Sequence, residues 1–133
     1  MSRFFRTTAS LIVIALIAGL VAAPVAAQAA PSQNVKTMAG ILAKLSHFPS
    51  AAEKRTLEEI AESDTATPAE KQIARALGAV QHTAPAADKA ALQALAADTS
   101  APDGVRVLAG AIAAINHTAS DAEKAILAKI AGS

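Results

Sequence analysis

Three histidines are the residues in this 133-residue chain whose type and spacing together suggest chemistry. His47, His82 and His117 recur at intervals of 35. Neutral imidazole is a good ligand for zinc, copper and nickel, so a shared metal or cofactor site is the sharpest reading of this column. Each ligating nitrogen would have to sit about 2 Å from a common ion. In a linear stack of helical units, equivalent positions lie roughly 10 Å apart. Only closure of the units around a three-fold axis would bring the rings together. The structural alternative places each imidazole in the last turn of a helix, where it bonds free carbonyls and faces the negative end of the dipole. That alternative carries more weight, and no cofactor is expected.

Each histidine is followed six and seven residues later by an acid and a lysine: Glu53-Lys54, Asp88-Lys89 and Glu123-Lys124. An acid/base couple of histidine and carboxylate would serve proton transfer. Three equal copies are a poor design for one active site, and helix capping already accounts for the acids. A second column, Lys36, Lys71 and Arg106, could form a basic ladder for an anionic partner, though a solvated helix face explains it as well. Nucleophile triads, phosphate loops, dinucleotide fingerprints and zinc-helix motifs are missing from the sequence. The expected protein is therefore not an enzyme.

The elements that carry these residues repeat with them. Ser46-His47-Phe48-Pro49-Ser50 aligns without a gap on Gln81-His82-Thr83-Ala84-Pro85 and on Asn116-His117-Thr118-Ala119-Ser120. The register continues through Leu57/Leu92/Leu127 and Ile60/Leu95/Ile130, and upstream through Met38/Ile73/Leu108 and Leu42/Leu77/Ile112. A fixed period of this length marks stacked supersecondary units. Apolar residues at helical spacing predict two helices in each unit, about 12 residues long and joined by turns of about three to six. Ser50 with Glu53, and Ser120 with Glu123, read as capping boxes. Thr67 with Glu70, and Ser100 with Asp103, read as the same device opening the first helices. In the middle unit Pro85 and Asp88 replace the Ser–Glu pair, so the box is lost and Pro85 is expected in the first turn. Gly40 and Gly110 share a column and predict tight helix crossings. The expected fold is all-α: three tandem 35-residue helix-turn-helix repeats (about 34–66, 67–101 and 102–133), six short helices stacked as a small solenoid or bundle.

Ahead of the repeats, Arg3 and Arg6, the apolar run Leu11–Val21 and the small residues Ala27-Gln28-Ala29 read as a signal peptide over 1–29, cut after Ala29. Residues 30–133 then form a single domain, periplasmic or secreted from a bacterium, with no stable membrane span after cleavage. Removing the two arginines leaves ten basic residues against 11 acidic ones. The remaining chain holds one aromatic residue, Phe48. With neither a basic footprint nor stacking rings, nucleic acid is not an expected partner. The absence of Cys excludes a disulfide scaffold and thiol chemistry. Alanine dominates the apolar content, which suits close helix approach and leaves room for a homodimer that buries a leftover apolar stripe.

The middle unit resembles the tetratricopeptide helical-hairpin repeat. Leu77-Gly78, Ala90, Ala97 and Pro102 fall at that family's Leu-Gly, small-residue and Pro positions. Its bulky aromatic positions are Ala74, Gln81 and Ala94 here, and the outer units match little. The resemblance implies a concave groove that holds a peptide or partner helix. The expected function is accordingly a protein- or peptide-binding module of the cell envelope, without catalysis. The alternative is a periplasmic metal- or cofactor-binding protein that uses His47, His82 and His117.

Overall fold

The computed structural model describes residues 29–133, so all of the expected signal peptide except Ala29 lies outside the described residues. Six helices follow in order: α1 Gln33–Lys44, α2 Ala51–Glu62, α3 Pro68–Gly78, α4 Ala86–Ala97, α5 Asp103–Ala114 and α6 Asp121–Ala131. No helix among the described residues is long and apolar enough to cross a membrane.

Local chemistry sets most of the helix starts. Ser50, Thr67 and Ser120 each accept from the backbone N–H of the third helical residue, and Glu53, Glu70 and Glu123 accept in return from the cap N–H. Ser32 caps α1 by accepting from Val35 N–H at 3.2 Å. Two starts differ from the sequence expectation. Pro85 is itself the N-cap of α4, one position before the first turn, and neither it nor Asp88 makes a side-chain cap bond. Pro102 takes the same position before α5, while Ser100 turns away to bond Asp98. Proline fixes an extended backbone suited to entering a helix but has no side-chain acceptor to offer.

α1, α3 and α5 pack against one another at the centre. Their buried residues form matched layers: Met38, Ile73 and Leu108, then Leu42, Leu77 and Ile112, then Leu45, Val80 and Ile115. The outer helices bury far less, with Leu57, Leu92 and Leu127 as their deepest side chains.

The main pairings of the outer helices run across the repeat boundaries. α2 packs on α3, α4 on α5, and α6 on α1, whereas α1 and α2 of one unit touch only lightly. The molecule is thus a small helical bundle in which the last helix meets the first. Of the two arrangements expected, solenoid or bundle, these pairings are those of a bundle, and α6 covers the face of α1 that an open tetratricopeptide-like stack would leave free. Burying that stripe is more favourable than exposing it to water. Gly40 and Gly110 lie at these crossings. A Cβ on Gly40 would stand 3.9 Å from Ala131 Cβ, and one on Gly110 would stand 3.6 Å from Ala96 Cβ. Both are ordinary contacts, so the crossings are close without requiring glycine. The tight position is Gly104, where a Cβ would come within 2.8 Å of Val35 Cγ1.

Candidate functional site

The central helices run parallel. The residues that follow their C-terminal ends gather at one pole of the bundle, and residues from their N-terminal turns line one cavity at the other. Both poles carry candidate features.

At the first pole stand His47, His82 and His117. Each lies in the turn beyond the C-cap of α1, α3 or α5, not in the last helical turn as the spacing suggested. Buried residues pin these turns on both sides: Leu45, Val80 and Ile115 before the histidine, and Pro49, Ala84 and Ala119 after it. The histidine between two such anchors is forced to the surface, and all three are exposed. The turns are stitched together through their backbones. His82 N–H donates to the His47 carbonyl at 2.9 Å, and His117 N–H donates to the His82 carbonyl. Bridges also join Gln81 to Thr83, Thr83 to Asn116 and Asn116 to Thr118.

These bonds bring the imidazoles together. Ring centres are 5.2 Å apart for His47 and His82, 5.1 Å for His82 and His117, and 6.0 Å for His47 and His117. The planes meet steeply, at 77°, 78° and 87°. The 10 Å spacing of a linear stack does not apply because the bundle closes. Among the described residues the one side-chain hydrogen bond of these rings joins His117 Nδ1 to Asn116 Oδ1, at 2.8 Å. Of the acids that an acid/base reading would pair with these rings, Glu53 and Glu123 accept from their own cap N–H groups at 2.7 and 2.8 Å, while Asp88 makes no cap bond. Among the described residues no group of three or more His, Cys, Asp or Glu side chains could, as placed, hold a metal ion.

His82 and His117 have φ of 71° and 69°, in the left-handed region, and no described glycine has positive φ. A non-glycine residue there is strained by about 1–2 kcal/mol. Nothing in the sequence signalled this strain.

At the opposite pole a cavity of about 490 Å³ opens among the N-terminal turns of α1, α3 and α5. Its wall is mainly apolar, with Pro31, Val35, Leu95, Ala101 and Val105 among its residues. The carboxylate of Glu70 lies in this wall and is only 4% exposed. Burial works to raise its pKa. Hydrogen bonds from Ser32, from Thr67 N–H and from Asn34 overcome that effect and hold it below the ordinary carboxylate value. Sequence reasoning found Glu70 as a cap but not this second role of tying α1 to α3.

Two members of the basic column are engaged at helix ends. Lys36 Nζ donates to the Ser133 carbonyl beyond α6. Arg106 Nε reaches the Ala96 carbonyl in α4 at 3.4 Å, and Arg106 also pairs with Asp103 at 3.2 Å. The equivalent bond to the Ala61 carbonyl in α2 comes from Arg75, at 3.4 Å, in place of Lys71. These cations meet carbonyls near helix C-terminal ends, where the dipole is negative.

No protein-family model matches the chain, and neither does any curated protein or solved structure.

Proposed function

We propose that this chain is exported and acts as a non-catalytic binding domain for a protein or peptide segment. The carrying observation is the apolar cavity of about 490 Å³ between the N-terminal turns of the three central helices. Its size falls in the range of known ligand sites, about 300–1,000 Å³. Its polar side chains are already occupied: Ser32, Thr67 and Glu70 bond one another and the helix ends, and Asp98 bonds Ser100. What remains for a ligand is shape and apolar surface, with no nucleophile and no free base. Apolar side chains of a partner segment fit that chemistry. Export is supported by Arg3, Arg6, the Leu11–Val21 run and the small residues ending at Ala29, and it places the partner in the cell envelope or outside the cell.

The test is to export a C-terminally tagged chain in a native-like host, cross-link lightly and identify what co-purifies. The reading expects a stoichiometric protein that untagged chain competes away. It also expects the variant Ala101→Arg, which puts a charge at the half-buried edge of the cavity, to lose that partner while keeping its helical circular dichroism. Recovery of the chain alone, or capture that Ala101→Arg leaves intact, overturns the proposal.

A further inference from the structure

The geometry points to His47, His82 and His117 as a site for one divalent late first-row transition-metal ion (zinc, cobalt, nickel or copper). The three imidazoles are the ligands, and a fourth position stays open to water. This site lies at the pole opposite the cavity and stands independently of the peptide-binding proposal.

The spacing of the rings carries the inference. A histidine nitrogen bound to zinc lies about 2.0–2.1 Å from the metal, which places the ring centre about 3.2 Å away. Three such centres on tetrahedral directions stand about 5.2 Å apart, and on right-angled directions about 4.5 Å apart. The two pairs that include His82 are at 5.2 and 5.1 Å, and the third edge of the triangle, at 6.0 Å, is the one that must close. Closing that edge takes a small swing about the inner torsion of His47 or His117, because a turn about the outer torsion leaves the ring centre almost in place, and the outer torsion then aims the nitrogens. That torsion has a broad energy profile, and the rings are exposed.

Three further features agree with a cation at this pole. The C-terminal ends of three parallel helices face it, and their dipoles favour positive charge. The Asn116 amide oxygen accepts from His117 Nδ1, which leaves Nε2 as the lone-pair nitrogen, and such outer partners commonly orient metal-binding histidines. The strain at His82 and His117 is the third. Glycine would take those backbone angles without strain, so a turn with no other task has no need of an imidazole there. Strained residues held by surrounding structure cluster at functional sites.

Cobalt(II) is the probe. The exported chain, stripped with chelator, is titrated with Co²⁺ and then with Zn²⁺. The expected result is one Co²⁺ per chain, with the intense visible absorption of four-coordinate cobalt, displaced by zinc. His82→Asn and His117→Asn keep a residue type that tolerates left-handed backbone, and each is expected to weaken binding by about tenfold or more. His47→Asn is the control at a position without positive φ. All variants are checked for retained helical signal in chelator. Ala101→Arg is expected to bind cobalt like the parent, which separates this site from the cavity. No absorption change up to about millimolar cobalt, a weak six-coordinate spectrum, or binding that survives these substitutions overturns the inference.

Discussion

Glu70 is the one charged side chain that folding takes out of water among the described residues. It does so with every bond satisfied, joining its own helix start to Ser32 and Asn34 of α1. Its folded pKa lies below the ordinary value of 4.5, because the hydrogen bonds outweigh burial. A depressed carboxylate stabilises the fold fully above its unfolded pKa, and that contribution is lost as pH falls through the lower folded value. Glu70→Gln keeps an acceptor for the cap but removes the charge, so its urea midpoint should change less than the parent's between pH 5 and about 3. Glu70→Ala removes the acceptor for both helices and should lower stability at pH 7 by about 1–3 kcal/mol. Equal acid sensitivity in parent and Gln variant would contradict this account. In the sequence Glu70 looks like Glu53 and Glu123. The difference comes from Ser32 and Asn34 arriving beside it from another helix, which no local pattern encodes.

At the scale of elements, helix starts were legible and helix crossings only partly so. Ser50, Thr67 and Ser120 announce their helices because capping is a contact between residues three apart. Gly40, Gly104 and Gly110 look alike in sequence, yet only Gly104 is demanded by its neighbour. Ala at Gly110 or Gly40 should therefore raise thermal stability, by up to about 1 kcal/mol, through better helix propensity at no steric cost. Gly104→Ala should lower it, because Val35 and Pro31 would have to yield to a Cβ placed 2.8 Å from Val35 Cγ1. Thermal melts of the three variants give opposite signs if the crossings are as described. Column and period could identify which glycines are equivalent, but the space at each depends on the side chain opposite.

For the whole molecule, the three-fold character of the sequence was plain and its closure was not. The same stripes of Leu57, Leu92 and Leu127 serve an open stack or a closed bundle; the choice rests on whether α6 reaches α1. The histidine pole shares that limit, since the 35-residue spacing sets a column but not the distance between its members. Closure makes a specific claim about energetics. Leu57, Leu92 and Leu127 are equally buried, so truncating each to Ala should cost a similar amount, about 2–5 kcal/mol. In an open stack the terminal Leu127 would matter least. Chemical denaturation of the three variants, followed by far-ultraviolet circular dichroism, decides between them, and a single cooperative transition is expected for the parent.

The packing of α6 on α1 has one further consequence. The α2–α3 and α4–α5 interfaces are each bridged by a five-residue turn, so their partners stay tethered when they open. α6 and α1 lie at opposite ends of the described chain, and only packing and a few bonds such as Lys36 to Ser133 keep them together. An α6 that leaves its own α1 finds an identical surface on any neighbouring copy. Two chains that traded their last helices would keep the α6–α1 packing, but the turn between α5 and α6 would have to straighten and give up the bond from His117 N–H to the His82 carbonyl. Concentration, and not any new sticky surface, would set how far such an exchange went.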